Sequence, residues 1–352
     1  MIAGPSSSER ATLVALMAAL EDPEGAAMIA DDPLVLVVAR RHRLTPLLSI
    51  RCRRLLPAAL DEACRRDHLL TAARHLALSS AAEECVTAMT DAGVDVALLK
   101  GLAYERTLYP QPGARPTSDI DLLVRDRDRR RAFEVLDRLG FEPRAAAPGF
   151  DAPDYHEVAW RRGPVEVDLH MALAPLARCA IDYEDVWRDM RPLELGAARA
   201  FALAPTHAAV FHALHMAIDH FDVPALYLLD LARLLPTSAD AAAAHATARA
   251  WRCHRPLKTS VALAAAFQPR WAATQPLEPP SWPAARVTAR FGALPAVPRP
   301  EQLLRKFAHF DRLTDALLYT AVQARRNLHE LVERRVRRRS ARERLKLPRP
   351  SR

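Results

Sequence analysis

The sequence predicts an α+β fold, a mixed sheet with flanking helices, preceded and followed by helical regions. Three observations predict it. Apolar residues recur at helical spacing from residue 11 to about 92 and again from 205 onward. Between those regions the period switches to two in short stretches rich in Val, Leu and Ile. One such stretch is separated from the next by a helix and a loop, while two others flank the turn Arg162-Gly163-Pro164, so the sheet joins crossover connections to a hairpin and is not all-parallel.

The elements follow in chain order. Leu13, Leu16, Met17 and Leu20 line one helical face, Pro33, Pro46 and Pro57 punctuate further helices, and residues 67–92 read as one long helix ending at Gly93. Residues 94–99 are short, apolar and β-like, and a helix runs over about 102–108. The turn-rich loop 109–118 then delivers the chain to a strand at 119–124. Residues 127–139 are amphipathic with Gly140 beyond their end, residues 154–161 and 163–171 form a hairpin, and 191–203 add one or two short strands. Helices resume near Thr206, and the Pro- and Trp-rich stretch 268–300 reads as an irregular linker. The predicted organisation is therefore an N-terminal helical region (1–93), an α/β core (94–204), a C-terminal helical region (205–324) and a basic tail (325–352).

The chemistry concentrates at Asp119-Ile120-Asp121-Leu122-Leu123-Val124. Alternation turns Ile120, Leu122 and Val124 to one face of the strand and sets Asp119 and Asp121 together on the other. Two carboxylates at that spacing repel unless a cation lies between them, and Mg²⁺ takes such hard oxygens together with water and substrate phosphates. Asp-x-Asp alone also occurs on solvated strand edges. A second carboxylate strand strengthens the metal reading: Val165-Glu166-Val167-Asp168-Leu169-His170 places Glu166, Asp168 and His170 on one face, so Asp168 completes a trio if the two strands pair. Glu166 reads equally as an alternative ligand or a hairpin surface carboxylate, and His170 as a group orienting Asp168 or a structural histidine. His212, His215 and His220 with Asp230 read as polar packing or as lining of an acceptor pocket, lacking the spacing of a zinc site.

Composition bounds the rest. Half of the 352 residues are hydrophobic, which excludes a largely disordered chain. Only four of the fifty basic residues are lysines, so arginine is ubiquitous and Lys100 stands out. The net charge is +8, but from Arg325 onward twelve Lys/Arg face three Glu, or +9, leaving about −1 for the remainder. The basic character belongs to the tail, where a solvated Arg-biased helix accounts for the composition and contact with nucleic acid is the lesser reading. Five scattered cysteines without Cys-x-x-Cys argue against a disulfide framework and suit a reducing compartment. No apolar run spans a bilayer and no signal-peptide pattern opens the chain, so a soluble cytoplasmic protein is expected.

Leu98-Leu99-Lys100-Gly101, Leu108-Tyr109-Pro110, Arg115-Pro116-Thr117-Ser118 running into Asp119–Val124, Val167-Asp168-Leu169-His170 and Leu229-Asp230-Leu231-Ala232 together resemble the large bacterial family of uncharacterised nucleotidyltransferases. That family looks like a branch of the DNA polymerase beta-like superfamily. The resemblance implies a polymerase-beta-like mixed sheet and a Mg²⁺-dependent transfer of a nucleoside monophosphate, AMP from ATP or another NTP, to an acceptor hydroxyl. It implies that Asp119 and Asp121 hold the metals, two Mg²⁺ ions in all, and that Asp168 binds the second and activates the acceptor. Lys100, Gly101 and, more weakly, Arg115 would meet the donor phosphates. One departure stands out: the superfamily's Gly-Ser element is replaced by Lys100-Gly101, at a longer distance from Asp119. That departure motivates a second expectation, a catalytically silent accessory protein binding a nucleotide, peptide or RNA. The acceptor itself, small molecule, peptide or protein, is not written in the motifs.

Overall fold

The structure, a computed structural model, describes residues 7–29, 33–144, 155–291 and 309–325. Residues 292–300 of the Pro-rich stretch and the basic tail beyond Arg325 lie outside the described residues. Four helices open the chain: α1 (Ser7–Glu21), α2 (Pro33–Arg41), α3 (Thr45–Arg51) and α4 (Ala58–Asp91). Helix α4 starts at Ala58 rather than at 67, because Pro57 occupies its N-cap and nothing after it interrupts the helical residues. Gly93 follows its end with φ +69°, the left-handed turn that glycine adopts without a Cβ penalty.

The α/β part runs β1 (Val96–Leu98), α5 (Lys100–Leu108), β2 (Ile120–Val124), α6 (Arg129–Arg138), β3 (Glu142–Pro143), β4 (Glu157–Arg162), β5 (Val165–His170), α7 (Tyr183–Asp189), β6 (Arg191–Leu195) and β7 (Ala198–Ala202). These strands form one seven-stranded sheet in the order β3-β4-β5-β2-β1-β7-β6. It is mixed, as expected: β2 runs parallel to β5 and antiparallel to β1, β4 and β5 form the hairpin, and β7 runs parallel to β1.

Helices α8 (Pro205–Ile218), α9 (Leu226–Leu234), α10 (Ser238–Ala250), α11 (His254–Ala265), α12 (Pro269–Ala272) and α13 (Trp282–Arg290) follow. The last two correct the reading of an irregular linker over the described part of that stretch, 268–291. Prolines at helix starts are tolerated because the N–H they lack has no intrahelical partner there, and Ala284 and Val287 give α13 an apolar stripe that is buried. Among the described residues no helix is long and apolar enough to cross a membrane.

Both faces of the sheet are covered. Ile120, Leu122 and Val124 enter a core with Ala82 and Val86 of α4 and Val135 of α6. Leu123 points the other way, into a core that contains Leu214 of α8. That second core is built from both ends of the chain, since Leu13, Leu16 and Leu48 share it with Leu228 and Leu257. Each fully buried leucine contributes roughly 1.5–3 kcal/mol of transfer free energy, so this shared core ties the N-terminal helices to the C-terminal ones.

Candidate active site

The centre forms where β2 and β5 lie side by side. Their parallel register sets Asp121 directly beside Asp168, so the two carboxylate strands do pair. Asp119 stands just ahead of β2, and its charge is felt by Asp168 and by Lys100. The three predicted aspartates are thus brought together at one end of a buried strand pair.

Lys100 begins α5 with φ +30°, an uncommon conformation for a side-chain-bearing residue, and its ammonium reaches back to β2. Nζ lies 2.9 Å from Asp121 Oδ1, with both side chains largely buried. His170 Nε2 donates to the same oxygen at 3.1 Å, and His170 Nδ1 lies 3.4 Å from Glu157 on β4. The histidine therefore orients Asp121, whereas the sequence reading offered Asp168.

The three carboxyls are driven apart in acidity. Burial pushes Asp121 up, but the charge of Lys100 and the hydrogen bond from His170 outweigh it and hold that carboxyl well below its ordinary range. Asp168 has no such cation of its own: burial, then the charge of Asp121, push it up to about 7. Asp119 is raised for the same two reasons. Burial would lower Lys100, yet Asp121 raises it further, so the ammonium stays charged. From α8 and beyond it, His215 is held well below its ordinary range by burial and by Lys100, and burial raises Asp219 to about 6.

Gly101 is buried where the loop before β2 crosses α5. A Cβ there would come within 2.4 Å of Thr117 Oγ1, so the glycine permits close packing of the strand that bears the aspartates. The loop is pinned from the other side by α4, whose Arg74 donates to the carbonyls of Thr117 at 3.2 Å and Ser118 at 2.6 Å. Arg115 is a correction. Its guanidinium is buried against Asp230, with Nη2 2.8 Å from Oδ2 and Nε 3.1 Å from both carboxylate oxygens. Paired in this way and 3% exposed, it has no face left for a donor phosphate. Tyr109 donates to the same Asp230 at 2.6 Å.

Other candidates resolve similarly. Glu166 pairs with the exposed Arg144 at 2.7 Å, the surface-carboxylate reading. His212 and His215 stack on Tyr227. His220 lies past the end of α8 with φ +56°. Glu157 and Asp219 were missed; Glu157 was recoverable from the hairpin, whose register pairs it with His170.

Among the described residues no group of three His, Cys, Asp or Glu side chains stands close enough to hold a metal ion alone. The donor chemistry nonetheless suits a hard divalent cation that arrives with a triphosphate. Mg²⁺ is commonly held by one or two carboxylates with substrate phosphates completing its shell, and Asp168 and Asp119, raised first by burial and then by the charge of Asp121, are carboxyls that a neighbouring cation would favour in their charged form.

A mixed sheet carrying in-register aspartates on parallel strands, with a third just ahead, defines a protein of nucleotidyltransferase type. The chain belongs to the family described as uncharacterised nucleotidyltransferase, whose model matches residues 30–269. Among solved structures it is similar to an antigenic nucleotidyltransferase-like protein from Paracoccidioides brasiliensis, at 15% identity over 56% of this chain and 91% of that one, with a TM-score of 0.37. No curated protein matches the sequence.

Proposed function

We propose that the chain is a Mg²⁺-dependent nucleotidyltransferase that moves a nucleoside monophosphate, AMP from ATP in the first instance, to an acceptor hydroxyl. The observation that carries this reading is the register of Asp121 beside Asp168 with Asp119 ahead of them. Such a trio takes the magnesium salt of a nucleoside triphosphate as substrate, Asp119 and Asp121 offering oxygens to the cation. The bound cation supplies charge neutralisation at the α-phosphate, where negative charge grows during in-line attack. Asp168, beside Asp121 and not held by Lys100, is the carboxylate left to accept the proton of the attacking hydroxyl. Lys100, held on Asp121, keeps a fixed positive charge beside the phosphates' place.

A second reading rests on that same contact. Lys100 already neutralises Asp121 at 2.9 Å, which suits a silent accessory protein that binds without metal. Calorimetric titration with a non-hydrolysable ATP analogue separates the two. Binding that needs Mg²⁺ and is lost in the Asp119→Ala/Asp121→Ala variant supports the transferase. Metal-independent binding, or none with any of the four nucleotides, moves the assignment to the accessory protein. Where binding needs Mg²⁺, release of pyrophosphate, the leaving group of the transfer, would identify the acceptor among small molecules, peptides and proteins.

A further inference from the structure

Beyond the carboxylate centre, the ends of β2 and β5 open on a cavity of about 520 Å³. That volume lies in the range of small-molecule sites. It is lined by Leu176, Ile181 and Trp187 and by Arg125 and Arg127 from the turn that follows β2, with Glu184 and the Arg129–Asp126 ion pair also at its edge.

Neither Arg125 nor Arg127 has a carboxylate of its own within hydrogen-bonding distance. Arg125 lies flat over the Trp187 ring, 4.6 Å from its centroid, and is only 20% exposed. Its Nε is buried and makes no hydrogen bond. The carboxylates beside it, Asp95 at 3.8 Å and Glu184 at 3.6 Å, stand beyond hydrogen-bonding distance. Arg127 has Asp128 at 3.7 Å, but Asp128 is committed to Arg131 at 2.7 Å. A buried donor without an acceptor is costly unless something else supplies one. A guanidinium next to an aromatic and aliphatic wall is the arrangement that recognises a carboxylate or phosphate attached to an apolar body.

We propose that this cavity binds a small amphipathic acid, its anionic head on Arg125 and Arg127 and its apolar body on Leu176, Ile181 and Trp187. The site is adjacent to the carboxylate centre through side-chain contacts. His170 touches Asp121 at 3.1 Å and Glu157 at 3.4 Å, Glu157 touches His156 at 3.6 Å, and His156 lines the cavity. The assignment does not depend on transfer chemistry occurring at that centre.

The test uses the full chain and the fluorescent aryl sulfonate 1-anilinonaphthalene-8-sulfonate as reporter. The expected result is saturable binding of one probe per chain, displaced by 4-phenylbutanoate or by 4-phenylbutyl phosphate but at least tenfold less well by 4-phenylbutanol. The stronger of the two acids identifies the head group, and either one supports the site. Arg127→Glu, on an exposed side chain, is expected to weaken the probe at least tenfold, and Leu176→Gln to weaken the body's contribution, with melting temperatures unchanged in both. Arg125→Gln adds the buried guanidinium to the series. Equal displacement by the alcohol, equal binding by the Arg127 and Leu176 variants, or absence of saturable binding to the natural chain would each overturn the proposal.

Discussion

Asp168 carries a sign that a purely structural carboxylate would not. Its folded pKa of about 7 lies above the ordinary aspartate value because burial and Asp121 oppose its charge. A carboxyl that binds its proton more tightly when folded stabilises the fold at low pH, and that stability is lost as pH rises from about 4 to about 7. Asp168→Asn removes the opposed charge. It is expected to raise stability at pH 8 by on the order of 2 kcal/mol, with little change at pH 4, while abolishing any transfer activity; chemical denaturation at the two pH values is the check, and a loss of stability at pH 8 would contradict it. Lys100 behaves oppositely. Lys100→Met leaves Asp121 buried beside His170 alone and is expected to cost about 3 kcal/mol, with much of it recovered in Lys100→Met/Asp121→Leu. Alternation made the three aspartates legible, because a period of two decides which side chains share a face. The inward turn of Lys100 was not legible, since it depends on one backbone angle of +30° that no pattern encodes.

At the scale of elements, the site is set by a crossing of a loop over a helix. Gly101 in α5 lets Thr117 approach, and Arg74 of α4 holds the carbonyls on either side of that approach. A methyl at Gly101 must displace Thr117 Oγ1 and with it the residues leading to Asp119. Gly101→Ala is therefore expected to weaken magnesium-nucleotide binding at least tenfold, about 1.4 kcal/mol, and Gly101→Ala/Thr117→Ala to restore most of it; calorimetry on both variants measures the recovery, and an unrescued double variant would place the glycine's role elsewhere. β1, β2, the hairpin and α5 were legible because short apolar runs bounded by turn residues have few other solutions, whereas β3, two residues of Glu and Pro, was not. Helix α13 was not, because its prolines resemble those of a linker until a partner surface for Ala284 and Val287 exists. Nor was the service of α4 to the site legible: its sequence reads as packing alone, and Arg74 acts only through the folded loop.

At the scale of the whole molecule, a buried ion pair ties the α/β core to the C-terminal helices. Arg115, in the loop that leads to β2, meets Asp230 of α9 with both side chains nearly inaccessible, and Tyr109 completes the acceptor. Arg115 was legible as a candidate only by resemblance, and its partner had to come from a segment more than a hundred residues away, which local pattern cannot supply. The pair lies beside the shared core of N- and C-terminal helices, so disturbing it disturbs the seam between sheet and helices together. Removing one partner of such a pair strands a charge in low dielectric and typically costs 3–5 kcal/mol, whereas replacing both by apolar residues is often neutral. Asp230→Ala is thus expected to destabilise the fold by about 3–5 kcal/mol, and Arg115→Met/Asp230→Leu to recover most of that loss. Because both helical ends of the chain share one core, the loss should appear in a single cooperative transition observed alike by tryptophan fluorescence and by far-ultraviolet circular dichroism. Two separated transitions in the Asp230 variant would show instead that the helical seam and the sheet unfold independently, and that Arg115 serves the loop before β2 without coupling it to the rest.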